Sequence, residues 1–120
     1  MLDASAIVAI LARQPGAGAL LARLDAQGGP FLATPVGLLD AVAGLAGAKA
    51  AGLPLTPALL AAARDAVSEF AAALSLREVP VSADLGRRAA DLLAAEGGAP
   101  GRALSAAAAH AYRVPLLAAD

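Results

Sequence analysis

The sequence has no cysteine and only one histidine, His110. The absence of cysteine excludes disulfide frameworks, thiolate zinc sites and cysteine nucleophiles, and it is compatible with a reducing cytoplasm. With one histidine, most histidine-based metal sites are excluded, and a Ser-His-Asp triad would depend on His110 alone. His110 stands in a run of alanines, so we interpret it as a surface or interface residue rather than a general base.

Aromatic residues, net charge and long apolar segments are also scarce. Aromatic residues make up 2% of the 120 residues and apolar residues 59%, so the core has to be built from Leu, Val, Ile and closely packed alanine-rich helices. The formal net charge of −1 gives no global electrostatic case for nucleic-acid binding. No run of about 18 apolar residues is free of Gly, Pro and charge, and the first residues lack the basic segment of a signal peptide. We therefore expect a cytoplasmic protein with a single domain over residues 1–120.

Two dipeptides have the composition of helix starts, Thr34-Pro35 and Thr56-Pro57. Threonine can cap the free amides of a first turn, and proline suits the first helical position. Each dipeptide is followed by a long run of alanine and leucine, and the first of these runs ends at Gly52. Apolar spacing and capping residues predict further helices over 5–12, 16–26, 83–96 and about 102–112.

Short apolar segments separate the predicted helices and have the length of buried parallel strands. Strands that alternate with helices imply a parallel sheet with helices on both faces. The sequence therefore predicts an α/β fold, a three-layer α/β/α sandwich around a central parallel sheet. The four predicted strands are Met1-Leu2-Asp3, Phe31-Leu32-Ala33, Glu78-Val79-Pro80-Val81 and Val114-Pro115-Leu116-Leu117.

Two aspartates stand where a functional carboxylate would be expected. Asp3 ends the first predicted strand, and ligand sites of parallel sheets collect at the carboxyl ends of strands. Asp3, or Ser5 beside it, could equally cap the helix that follows. Asp40 interrupts an apolar helix, where it is either buried with a partner or turned outward. Position alone leaves these alternatives open.

Four segments carry a family resemblance, and three of them contain an acid that matches. The opening MLDASAIVAILARQPGA resembles VapC-type PIN domains of bacterial toxin–antitoxin pairs. In that family the first strand ends in an aspartate, and a small residue, then a Ser or Thr, and then an apolar helix follow it. Asp3 matches the first metal-binding acid of that family. TPVGLLDAVAGL resembles the third-helix segment, in which Asp40 replaces the usual glutamate and reaches one methylene less far. The final LLAAD resembles a strand end that often carries a fourth acid, which Asp120 matches.

The segment GRALSAAAAHAYRVPLL resembles the part of the family in which Gly-Asp opens a helix that leads into a Val-Pro-Leu-Leu strand. In this match, Arg102 stands at the position of the aspartate, which in this family is a principal metal ligand. Arg102 could replace the metal, because two carboxylates with one arginine carry the same net charge as three carboxylates with one divalent ion, and a guanidinium cannot ligate a metal. Alternatively, Arg102 points outward to a phosphate and leaves Asp3, Asp40 and Asp120 as a reduced metal site.

The resemblance implies a PIN-like fold and an endoribonuclease that depends on Mg²⁺ or Mn²⁺. It also implies that a VapB-like antitoxin neutralises the protein, that RNA is the substrate and that the chain forms a homodimer. Asp3, Asp40 and Asp120 would be the catalytic and metal-binding residues, with Ser5 and Arg102 near the site. A catalytically silent PIN-like module that binds an antitoxin or RNA is the alternative. A second and weaker alternative is an unrelated domain that binds a small ligand, because the sequence has no glycine-rich phosphate loop to support that function.

Overall fold

The computed structural model describes residues 1–119, which form six helices and two short strands. All six predicted helices are confirmed, and α6 begins at Pro100 rather than near residue 102. Among the described helices, none combines the length and apolarity that crossing a bilayer requires. The helices are α1 (Ala4–Leu11), α2 (Ala17–Gln27), α3 (Pro35–Ala50), α4 (Pro57–Ala73), α5 (Ala83–Glu96) and α6 (Pro100–Tyr112), and the strands are β1 (Leu32–Ala33) and β2 (Arg77–Glu78).

Backbone hydrogen bonds join all four predicted strand segments. Strands β1 and β2 pair in parallel, and Leu2 forms a parallel bridge with Leu117. The Leu2 N–H donates to the Leu32 carbonyl at 2.7 Å, which connects the two pairs. The predicted central parallel sheet is thus confirmed, with the carboxyl end of the first segment at Asp3.

The third strand segment lies slightly earlier in the chain than predicted. The sequence predicted residues 78–81, whereas β2 is Arg77–Glu78. The Val79 N–H still donates to the Ala33 carbonyl at 2.9 Å, but Pro80 has no N–H with which to continue the ladder. The proline therefore ends the pairing before Val81.

The core has two parts, one on each side of the sheet. One cluster includes Leu2 with helix residues such as Ile7 of α1 and Leu45 of α3. The other includes Met1 with residues of α5 and α6. Successive residues of an extended segment point to opposite faces, so α1 to α4 cover one face and α5 and α6 the other. This confirms the three-layer arrangement.

The threonine caps form as predicted and fix the start of α3 and α4. Thr34 Oγ1 accepts a hydrogen bond from the Gly37 N–H at 2.8 Å, and Thr56 Oγ1 accepts one from the Leu59 N–H at 3.1 Å. Thr34 is fully buried. Because α3 begins directly after β1, this cap fixes where α3 starts, and it therefore helps to fix the position of Asp40 near the end of the sheet.

Candidate functional site

Asp3 is a buried carboxylate at the end of the first strand segment, with 4% of its surface exposed. Its Oδ2 accepts hydrogen bonds from the Ser5 N–H at 3.2 Å and from the Ser5 hydroxyl at 2.6 Å. Asp3 is therefore the N-cap of α1, as one of the two alternatives had it. Asp3 can cap the helix and also belong to a functional site, because both of these hydrogen bonds are accepted by the same carboxylate oxygen, Oδ2.

Ser5 links Asp3 to the last described segment of the chain. The Ser5 Oγ donates to Asp3 and accepts a hydrogen bond from the Ala119 N–H at 3.0 Å. One hydroxyl thus holds the carboxylate and the backbone after Leu117 together. Asp120, the predicted fourth acid, follows Ala119 and lies outside the described residues.

Arg102 lies in the first turn of α6, and its side chain approaches Asp3. Its Nη1 is 3.8 Å from Asp3 Oδ2, and the side chain is 46% exposed. A separation of 3.8 Å is too long for a hydrogen bond, so the contact is an ion pair. Within residues 1–119, no ion pair joins Arg102 to Asp40. The guanidinium therefore neutralises Asp3 in particular.

Asp40 is exposed on α3, and its carboxylate lies against the backbone of Gly101 in α6. A Cβ atom at position 101 would overlap with Asp40 Oδ2 and would lie 3.2 Å from Asp40 Cγ. The absence of a side chain at Gly101 is therefore what admits the carboxylate. Asp40 is turned outward, which decides between the two alternatives that the sequence had left open.

The first turn of α6 gives Asp40 a favourable electrostatic position. Ala99 is the N-cap and supplies no side-chain hydrogen bond, and Pro100 occupies the first helical position. The unpaired amides of a helix N-terminus carry partial positive charge. A carboxylate beside Gly101 is stabilised by this charge.

The predicted residues of the described part of the chain meet in one place. Asp3 and Asp40 share an open cleft of about 530 Å³ with Ser5, Gly101 and Arg102. Within residues 1–119, no group of three acidic or histidine side chains is arranged to hold a metal ion. The cleft therefore presents two carboxylates and one guanidinium around a space that is open to a ligand.

Gly101 is the residue whose role the sequence did not reveal. The resemblance placed it in a Gly-Asp pair but gave no physical reason for a glycine. The available signal was a glycine in a helical first turn, where intrinsic helix propensity disfavours it. Its contact partner, Asp40, is remote in the sequence, so that signal could not name the partner.

Comparisons with known proteins identify the family of the chain. A family model described as PIN domain matches residues 1–120. Searches with the chain found no match among curated proteins or among solved structures.

Proposed function

The chain belongs to the PIN domain family, and from that premise we propose that it is a VapC-like toxin, an endoribonuclease that cuts cellular RNA. PIN domains are generally nucleases. The proposal takes residues 1–120 as one PIN-like domain in the cytoplasm, and it includes neutralisation by a cognate VapB-like antitoxin.

The observation that carries the proposal is the meeting of Asp3 and Asp40 in one open cleft at the carboxyl end of the first strand segment. Parallel sheets place their active sites at this edge. Paired carboxylates beside a half-exposed arginine suit a phosphodiester, because the arginine offers hydrogen-bond donors to phosphate oxygens and the acids can position water. The proposal assigns catalysis to Asp3, Asp40 and Asp120.

PIN nucleases generally use divalent metals, and Mg²⁺ or Mn²⁺ is the proposed cofactor. Asp3, Asp40 and Asp120 are the proposed ligands. The donor set of the described residues does not fit a three-acid metal site, because a guanidinium lies beside Asp3 and cannot ligate a metal. Residues 1–119 instead supply two acids and a counter-ion that belongs to the chain itself.

A second candidate function follows from that ion pair. If Arg102 holds the cation position permanently, the domain is a catalytically silent PIN-like module that binds RNA or an antitoxin without cleaving. The 3.8 Å approach of Arg102 to Asp3 favours this candidate. The two candidates share the cleft and differ in whether the bound RNA is cut.

Homodimerisation belongs to the same proposal. Leu39 of α3 is 68% exposed, and it lies at a groove between α3 and α4 with the half-buried Leu38 and Val42. Burial of such apolar side chains would stabilise an interface between two copies. Sedimentation equilibrium of the purified chain would report a dimer, and a strictly monomeric result would remove this part of the proposal.

The function is tested by incubating labelled cellular RNA with the purified chain and millimolar Mn²⁺. We expect the native chain to cleave and Asp3→Asn to lose at least about 100-fold in rate. Asp25→Asn, which removes an exposed charge of α2, should cleave like the native chain. RNA that is bound but stays intact would establish the silent module instead. A chain that neither binds nor cuts RNA would contradict the nuclease and would leave the silent module only as a module that binds an antitoxin.

A further inference from the structure

We propose that Arg102 is a tethered counter-ion of Asp3 that competes with divalent cations for the cleft. A metal ion then binds to Asp3 only when the guanidinium moves away, and the native chain takes up divalent ions poorly. The inference rests on the proposed function because it concerns the same cleft. Metal affinity can nevertheless be measured without any RNA.

The burial of Asp3 requires a compensating charge. Its side chain is 6% exposed, and a carboxylate in such a position is costly unless it is paired and hydrogen-bonded. Ser5 supplies two hydrogen bonds but no charge. Among the ion pairs of the described residues, only that with Arg102 brings a cation to Asp3. Arg102 is therefore the counter-ion of this acid.

Arg102 and a metal ion bound to Asp3 would both lie beside the same carboxylate. The guanidinium approaches Oδ2 of Asp3, the oxygen that also accepts both hydrogen bonds from Ser5. A divalent ion held by the Asp3 carboxylate would be close to the guanidinium in a partly desolvated site, where repulsion between like charges is strong. Binding of the ion therefore requires displacement of the guanidinium.

The geometry also makes Arg102 displaceable. Its contact with Asp3 is longer than a hydrogen bond, and nearly half of its side chain is exposed. Its flexible stem can carry the guanidinium into solvent without unfolding α6. Arg102 therefore lowers the affinity of the cleft for divalent ions and does not close it.

The inference is tested by calorimetric titration of Mn²⁺ into the full chain and three variants. Arg102→Gln removes the charge and keeps a polar side chain, and Arg102→Asp adds an acid. Arg87→Gln is the matched control, because it removes one positive charge from an exposed position of α5. We expect Arg102→Gln to bind Mn²⁺ at least about tenfold more tightly than the native chain, with Arg102→Asp tighter still and Arg87→Gln unchanged. Equal affinities of the native chain and Arg102→Gln would overturn the inference.

A second variant locates the ion. Asp3→Asn introduced into Arg102→Gln should abolish the gain in affinity, and a gain that persists would place the ion elsewhere and overturn the proposal. Circular dichroism verifies the fold of each variant, and Arg102→Gln decides the question if Arg102→Asp does not fold. If neither variant folds, the melting temperature of the native chain provides the test. Mn²⁺ at tens of micromolar should leave that temperature unchanged, and a clear rise would overturn the proposal. Tight Mn²⁺ binding by Arg102→Gln without RNA cleavage by any variant would refute the nuclease and leave the counter-ion in place.

Discussion

Gly101 is buried where α3 and α6 meet, and the Asp40 carboxylate fills the space that a side chain at this position would need. Replacing a helical glycine with alanine ordinarily stabilises a protein by about 0.5–1 kcal/mol. At Gly101 the new methyl group would overlap with Asp40 Oδ2, the end of an exposed side chain that can rotate away. We expect Gly101→Ala to displace the carboxylate from the N-terminus of α6. The free energy of unfolding, measured by urea denaturation, should change by less than about 0.5 kcal/mol, because the lost interaction of the carboxylate with the helix offsets the gain from alanine.

Gly86 offers the matched control for this substitution. It also lies in a helix, near the start of α5, and a Cβ atom there would meet nothing within 4 Å. Gly86→Ala should therefore raise stability by about 0.5–1 kcal/mol. In an Asp40→Ala background, Gly101→Ala should recover the stabilisation expected at Gly86, because residues 40 and 101 share one contact. If Gly101→Ala stabilised the native chain as much as Gly86→Ala does, Asp40 would not occupy this space.

Single residues of the cleft were predictable when one short segment carried the signal. Asp3, Ser5 and Asp40 stood out from their positions beside a strand end or within an apolar helix, and the resemblance placed Arg102. The contacts between them were not predictable. The hydrogen bond from Ala119 to Ser5 joins residues at opposite ends of the chain, and no local pattern encodes such a pairing.

The two threonine-capped helices differ in how much their caps should matter. The Thr34 cap of α3 is buried, whereas the Thr56 cap of α4 is exposed. Water can replace an exposed cap but cannot readily reach a buried amide. We expect Thr56→Ala to cost about 1 kcal/mol and Thr34→Ala about 2–3 kcal/mol, since the latter leaves the Gly37 N–H without its acceptor. Thermal denaturation of both variants measures the difference, and equal losses would contradict the argument.

Helices of this chain were easier to predict than strands. Capping residues, proline and apolar spacing each mark a helix from local sequence, and α5 begins and ends at the predicted residues, Ala83 and Glu96. Strands β1 and β2 have two residues each, which is too short for a periodic pattern. Their pairing depends on partners elsewhere in the chain, so one predicted segment was shifted along the sequence.

The alternation of strands and helices was sufficient to predict the architecture of the molecule. Met1 and Leu2 are adjacent in the sequence but belong to the core clusters on opposite faces of the sheet, as the alternation of an extended segment requires. The sequence also predicted that ligand chemistry would collect at the carboxyl ends of the strands. It could not determine the orientation of Arg102, because that depends on how α6 packs beside the end of the first segment.

The central claim is that the cleft of Asp3 and Asp40 is the functional centre and that Arg102 occupies the cation position in it. Anomalous diffraction tests this claim most directly, with crystals of the native chain and of Arg102→Asp both soaked in Mn²⁺ at tens of micromolar, well below the millimolar concentration of the cleavage assay. We predict a manganese peak between Asp3 and Asp40 in the variant and none in the native chain, where Arg102 should remain beside Asp3. A manganese ion bound by both acids in the native crystal, with Arg102 still in contact with Asp3, would contradict the account.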